Sequence, residues 1–187
     1  DNRWYGFIAH TPVIEPSSPR DAYKLVKESY KLSEKYSHPV IFRVTTRISH
    51  TRQMIEYDSD PFTERKCRGV FERNVERWVL VPAHARKQKI RMMSVWKRIA
   101  EDEGKPPFIT VYNPGCKKAV IASGIAYAYV DEALEILGRK SEYTVVKVNM
   151  PVPLPVKPLA EVLSDAAKAI VVEELDPVVE TQVKKIA

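Results

Sequence analysis

The sequence predicts an α/β protein built on a mainly parallel sheet. Three observations carry that reading. The last 70 residues alternate β-branched runs with helical patterns of 10–13 residues, the spacing of crossovers between strands that run the same way. Near the amino end, a capped amphipathic helix feeds through a short turn into another β-branched run, which is half of the same unit. The composition, 44% hydrophobic and 29% charged over 187 residues, is that of an ordinary globular chain. It has no internal repeat, no low-complexity tract and no apolar run approaching the roughly 18 residues of a membrane span.

Each element has a local cause. Ser18-Pro19-Arg20-Asp21 places a serine at the N-cap, a proline at the first helical position and an acid at the third. Ala22, Leu25, Val26, Ser29, Leu32, Ser33 and Tyr36 then recur at helical spacing, until His38-Pro39 stops the helix. Val40–Thr45, apolar except for Arg43, reads as a mostly buried strand. From Arg47 to about Arg77 the pattern dissolves around the turn signal Asp58-Ser59-Asp60-Pro61, and the stretch reads as a linker. Trp78–Val81 is expected as a short strand. Ala83–Glu103 is expected as a basic helix with apolar positions at Ile90, Met93, Val95, Trp96 and Ile99.

The remainder is punctuated throughout by glycine and proline. Phe108–Tyr112 is a strand and Asn113-Pro114-Gly115 a turn; Lys118–Ser123 is a strand and Gly124 a second turn. Ile125–Leu137 is a helix closed by Gly138, and Tyr143–Asn149 the next strand. Val156–Ala166 is a helix, Ala169–Glu173 a strand and Pro177–Ile186 a last helix, with Pro151, Pro153, Pro155 and Pro158 stiffening one connection. Asp1 is not a methionine, Asn2-Arg3-Trp4-Tyr5 does not read as a solvated tail, and Val183–Ala187 falls inside a helical pattern. The expectation is a piece of something longer, or a processed product.

The net charge of +6 is local. Positions 62–98 hold eleven Lys or Arg against three Glu, while the rest of the chain carries 19 basic and 21 acidic residues. An anionic partner, if there is one, would bind there. Cys67 and Cys116 lie 49 residues apart without a Cys-x-x-Cys pair, which excludes a zinc finger or a cysteine-ligated cluster in this chain. Free thiols in a reducing cytoplasm are the reading, with a single disulfide as the open alternative.

Three places are candidates for chemistry. Thr45-Thr46-Arg47-Ile48-Ser49-His50-Thr51-Arg52 follows a strand, and ligands of open α/β sheets sit beyond the carboxyl ends of strands. Its arginines, histidine and hydroxyls suit a carboxylate or phosphate; a polar loop satisfying its own backbone is the equal alternative. Ser123-Gly124 opens a helix, but without a nucleotide fingerprint it reads as a tight βα turn. The basic helix carries His84, Arg86, Lys87, Lys89, Arg91, Lys97 and Arg98; with no nucleic-acid motif around it and no interleaved aromatics, it reads as a solvated or subunit-facing surface. His10 and His38 are expected to be structural. No Gly-x-Ser-x-Gly elbow, His-Glu-x-x-His or cysteine–histidine signature is present, so no catalytic residue and no metal ligand is assigned.

Five ordered stretches also resemble a known family: Asp1–Tyr5, Pro39–Arg52, Pro82–Arg86, Ala122–Tyr127 and Val171–Pro177. In order and spacing they resemble the indolepyruvate ferredoxin oxidoreductase alpha-subunit family, within the thiamine-diphosphate-dependent 2-oxoacid:ferredoxin oxidoreductases. The resemblance implies that 1–52 is the end of a pyrimidine-binding α/β domain, 53–77 a linker and 78–187 a transketolase-C-like domain. It implies an enzyme that decarboxylates an aryl 2-oxoacid, transfers the acyl group to coenzyme A and passes electrons to ferredoxin. It implies thiamine diphosphate with magnesium, and 4Fe–4S clusters, at the level of the whole enzyme. The activating glutamate, the Gly-Asp-Gly motif and the cluster cysteines have no counterpart here, so this chain alone is expected to be inactive. The implied partners are the remainder of the alpha subunit, a beta subunit, ferredoxin and coenzyme A, with no membrane. Thr45, Thr46, Arg47, His50 and Arg52 are the residues expected to face the cofactor or the substrate carboxylate, although Gln53 stands where the family pattern has glycine. A basic nucleic-acid-binding module and a purely structural subunit-interaction domain are the competing readings.

Overall fold

The computed structural model describes residues 1–56, 69 and 71–187. The turn at Asp58–Pro61, Cys67 and most of the expected linker lie outside the described residues.

The larger sheet is formed by β3 (Ile109–Tyr112), β4 (Lys118–Ser123), β5 (Thr144–Val148) and β6 (Lys168–Val172), in the order β3-β5-β4-β6. β5, β4 and β6 are parallel, and β3 closes one edge antiparallel to β5. The chain therefore moves from β4 to β5 on one side, then crosses back over β4 to reach β6. The helices end up on opposite faces. α7 (Val156–Asp165) and α8 (Val178–Ile186) pack Leu159, Val162, Val179 and Val183 against Ile109, Ile121, Val146 and Val148 in one core. On the other face, Tyr127 of α6 (Ile125–Ile136) stacks on Tyr112 beneath the Lys147 ammonium.

At the amino end, β1 (Val13–Ile14) and β2 (Ile41–Phe42) pair in parallel around α2 (Pro19–Tyr36). α2 starts as its sequence dictates: Ser18 Oγ accepts from the Asp21 N–H, and Pro19 takes the first turn. Its buried stripe, Leu25, Leu32 and Tyr36, shares a core with Ile14, Phe108, Met150 and Val95 and Ile99 of α5 (Pro82–Asp102). β1 also bridges to Val152, so the small and large sheets meet through one short strand.

Tyr36 locks α2 to the end of α5. Its hydroxyl lies 2.9 Å from Glu103 Oε1 and 3.1 Å from Asp102 Oδ2, with Lys35 also on Glu103. Burial first, then these acceptors against the opposing pull of Lys35, push the phenol up to about 12. A phenol that keeps its proton longer when folded contributes stability that is complete below its ordinary pKa of 10.0 and is lost as pH rises toward about 12. Unfolding followed across that window should show a steeper alkaline loss for the native chain than for Tyr36→Phe; parallel curves would refute the coupling.

The structure departs from the sequence-based expectation at several short elements. Trp78–Val81 is not a strand: Asn74 Oδ1 accepts from the Arg77 N–H and winds Val75–Trp78 into a helical turn, α4, and among the described residues no strand edge pairs with residues 79–81. Strand Val40–Thr45 shrinks to Ile41–Phe42, because β1 offers only two residues for pairing. Thr46–His50, expected as loop, forms a helical turn, α3. The amino end adds α1 (Trp4–Ala9), too short to show a helical period.

Candidate functional site

The parallel strands of both sheets end in one region. The chain leaves β1 at Glu15, β2 at Arg43, β4 at Ser123-Gly124, β5 at Asn149 and β6 at Glu173. The neighbouring strands β4 and β6 are followed by helices on opposite faces of the sheet, and the crevice between such strands is where ligands commonly enter. Here the amino-terminal segment occupies it. Arg3, only 1% exposed, donates to the Glu173 carboxylate at 2.8 Å, to the backbone carbonyls of Glu174 and Asp176, and to the Asp1 carboxylate. The same Glu173 carboxylate accepts from the Val179 and Glu180 N–H groups, both at 2.9 Å, capping α8.

A second buried pair lies beside the first. Arg43 donates to Glu15 Oε1 through Nη1 and to Asn2 Oδ1 at 2.6 Å through Nε. Glu15 lies directly over Gly124: a Cβ at that position would be 2.5 Å from Glu15 Oε1. Burial raises the Glu15 carboxyl above the usual carboxylate range, opposed chiefly by Arg43 and then by Arg3. Ser123-Gly124 is thus the tight turn beneath an acid, as its lack of a nucleotide fingerprint suggests.

A cleft of about 370 Å³ remains open next to this network, at the ends of β2 and β6. Its walls include Asn2, Arg43, Thr45, Thr46, Arg47 and Glu174. Buried Ile48 anchors α3 and so fixes the loop. Thr45 Oγ1 is a buried hydroxyl with no hydrogen-bond partner among the described residues. Arg47 is exposed yet tethered: Nη1 donates to Tyr129 Oη at 2.6 Å, and the guanidinium carbon lies 5.6 Å from the ring centroid. Across the cleft, Leu175 holds φ at +64°, a left-handed conformation uncommon for a side chain of that size.

Of the five residues singled out by sequence, Thr45, Thr46 and Arg47 share this cleft, whereas His50 and Arg52 stand exposed outside its lining. The backbone explains the split. Thr51 Oγ1 donates to the Arg47 carbonyl and ends α3, and Gln53 Oε1 accepts from the Arg20 N–H at 3.1 Å, drawing the chain toward α2. Sequence reasoning missed Asn2, Glu15 and Glu174. Glu15 carried a usable signal, an acid directly after the apolar pair Val13-Ile14, but a two-residue strand is too short to recognise.

The basic helix is largely committed to the protein itself. Arg91 donates to the Tyr36 and Ser37 carbonyls, Arg98 stacks over the Tyr36 ring, Lys89 meets His10 and Lys87 pairs with Glu76. His38 Nε2 meets the His10 carbonyl at 2.8 Å, and the His10 ring stands edge-on to Trp96, so both histidines serve packing. Cys116 is a free thiol. Among the described residues, no group of three or more His, Cys, Asp or Glu could hold a metal ion, and no helix is long and apolar enough to cross a membrane.

No family model matches the chain. Curated relatives do. Indolepyruvate oxidoreductase subunit IorA of Thermococcus kodakarensis is 39% identical over 98% of this chain, and that of Methanothermobacter thermautotrophicus 38% over 100%. The same subunit of Archaeoglobus fulgidus is 39% identical over 98%. Over nearly its whole length the chain is similar to part of the IorA subunit. It spans 29% to 30% of the length of these IorA subunits. A 2-oxoglutarate:ferredoxin oxidoreductase from Magnetococcus marinus has a similar fold, superposing with a TM-score of 0.64 at 14% identity, over 95% of this chain and 37% of that one. A split-gene transketolase superposes at 0.54 with 16% identity, over 94% of this chain and 43% of that one. The α/β class with a mostly parallel sheet, expected for IorA, is therefore found.

Proposed function

We propose that this chain is a scaffolding and partial-site segment of an indolepyruvate:ferredoxin oxidoreductase. The assembled enzyme would oxidatively decarboxylate an aryl 2-oxoacid to the acyl-coenzyme A and pass the electrons to ferredoxin. Identity of 35–39% to IorA subunits over nearly the whole chain carries this reading. The Magnetococcus structure, which holds 2-oxoglutarate, coenzyme A and succinyl-coenzyme A, supports the reaction class. The remainder of the alpha subunit, a beta subunit, ferredoxin and coenzyme A are the partners, in the cytoplasm.

Within that enzyme the chain's contribution is the cleft wall. Arg43 is already engaged by Glu15 and Asn2, which leaves the Arg47 guanidinium and the Thr45 and Thr46 hydroxyls to meet a carboxylate. His50 and Arg52 enter the same reading only where polypeptide from elsewhere brings a ligand to them. The cationic and hydroxylic donors of the cleft suit a carboxylate or a phosphate oxygen, whereas among the described residues no group of three or more His, Cys, Asp or Glu gathers to hold the magnesium ion that accompanies thiamine diphosphate. On this reading the magnesium ion and the 4Fe–4S clusters are held by other parts of the enzyme.

Arg47→Ala in the complete enzyme tests the site. A charge-assisted hydrogen bond contributes about 1.5–3 kcal/mol, so KM for the 2-oxoacid should rise roughly 10- to 100-fold. The Arg47→Lys enzyme should fall between, since lysine keeps the charge without the fork. Unchanged turnover at low substrate would end this assignment.

A further inference from the structure

Arg3, Arg43 and Arg47 meet the carboxyl ends of the parallel strands, and they are held differently. Arg3 donates to the Asp1 and Glu173 carboxylates and Arg43 to Glu15, so both charges are balanced within the protein. Arg47 has no carboxylate partner among the described residues, although Glu174 lines the same cleft. Its guanidinium is held by Tyr129 instead, through the 2.6 Å bond from Nη1 to the phenol oxygen and a ring within cation–π reach. An uncharged hydroxyl accepts that bond without cancelling the charge of its donor.

Both ends of this contact are fixed. Tyr129 sits on α6, one turn beyond the Ser123-Gly124 turn that ends β4, and buried Ala126 and Leu134 seat that helix. Side chains on a helix lean back toward its amino end, which carries Tyr129 toward the strand ends and the cleft. Opposite it, buried Ile48 anchors α3, and Thr51 Oγ1 donates to the Arg47 carbonyl. The arginine is thus held at its backbone and at its tip, by residues from two parts of the chain. A free arginine loses much of its rotamer freedom when it grips a ligand, a cost that prior ordering removes. Tyr129 takes one of the five guanidinium N–H groups, and among the described residues the Nε–Nη2 edge stays available for a carboxylate.

We infer that Tyr129 is a positioning residue for the 2-oxoacid: it orders the Arg47 guanidinium for the substrate carboxylate and leaves its charge intact. The inference rests on the reading of Arg47 proposed above, and it gives the helix after β4 a part in substrate affinity. Tyr129 acts through Arg47 and not on the reacting atoms, so its effect falls on binding and not on turnover. The competing account is a surface contact without consequence, since Arg47 is exposed and Tyr129 is 44% exposed. Against it stand the joint use of ring and hydroxyl by one arginine, and the Glu174 carboxylate of the same cleft left aside.

Steady-state kinetics of the complete enzyme, run as a double-mutant cycle, tests this. Tyr129→Phe keeps the ring and deletes the hydroxyl; it should raise the KM for the 2-oxoacid about 2- to 10-fold, with kcat within about twofold. Its melting temperature should stay at the wild-type value, because the substitution is on the surface. In an Arg47→Ala background Tyr129→Phe should raise KM no further, since the group it positions is gone. A wild-type KM for Tyr129→Phe overturns the inference, as does an equal rise with and without Arg47. A fall in kcat together with a lowered melting temperature would mark a structural role and overturn it too. The two readings fail separately. A normal KM for Arg47→Ala removes the substrate role of the loop and the positioning role with it. A raised KM for Arg47→Ala beside a normal one for Tyr129→Phe removes the positioning role alone.

Discussion

Arg3→Ala should destabilise the fold by about 3–5 kcal/mol, the range for removing one partner of a buried ion pair. The side chain is 1% exposed and satisfies two carboxylates, those of Asp1 and Glu173, together with the carbonyls of Glu174 and Asp176. Not all of these groups suffer equally when it is lost. Glu173 keeps its hydrogen bonds from the Val179 and Glu180 N–H groups, so its charge remains compensated. The buried Asp1 carboxylate keeps only backbone donors, the Arg3 N–H at 2.9 Å and the Asp176 N–H at 3.4 Å, and loses its counter-charge, while the Glu174 and Asp176 carbonyls lose the arginine donor. Arg3→Lys should retain part of the stability, because an ammonium can reach one acceptor but not several in a plane. Urea unfolding at constant m-value measures both variants. A shift below about 1 kcal/mol for Arg3→Ala would show that solvent or rearrangement satisfies the site, and that the amino-terminal segment does not clamp β6.

This clamp was invisible in the sequence for a physical reason. The last 70 residues were legible almost element by element, because strands β4, β5 and β6 and their crossover helices are long enough to show their periods and end at glycine or proline. α2 was legible through its cap and its apolar stripe. Arg3 and Glu173, by contrast, lie 170 residues apart, and no local pattern reports that an arginine near one end will be buried on an acid near the other. The misread strand at Trp78–Val81 shows the same limit from the opposite side. Its residues favour extended structure, but a strand needs an edge to pair with, and a single Asn74 cap was enough to wind the neighbouring turn.

The candidate site was half legible. Thr45, Thr46 and Arg47 could be found because hydroxyls and a cation follow a β-branched run, the arrangement that open sheets use for ligands. What could not be read is that the loop curls into α3, which separates His50 and Arg52 from the cleft, or that Asn2 and Glu15 occupy Arg43 and leave Arg47 as the available cation. Both facts depend on where the amino-terminal segment lies, and that follows from tertiary packing.

Gly124→Ala should destabilise by about as much as Arg3→Ala, through two causes that a double-mutant cycle separates. Gly124 adopts φ +54° and ψ −141°, a region nearly confined to glycine, which costs an alanine on the order of 1–3 kcal/mol. The added Cβ would also lie 2.5 Å from Glu15 Oε1 and 2.7 Å from its Cδ. Glu15 cannot simply swing aside, since Arg43 holds that oxygen and the carboxylate is almost fully buried. Moving it would leave Arg43 and Glu15 unpaired in the interior, a further penalty of similar size. In a Glu15→Ala background the clash disappears, so Gly124→Ala should then cost only the backbone part, and the two substitutions should be non-additive by at least about 1 kcal/mol. Strict additivity would mean that the acid yields freely and that the turn, not the Glu15–Arg43 pair, sets the requirement for glycine. Because Arg43 also lines the cleft, the function proposed above adds a second expectation: a displaced pair should raise the KM for the 2-oxoacid, linking the packing beneath β4 to the loop that carries Arg47.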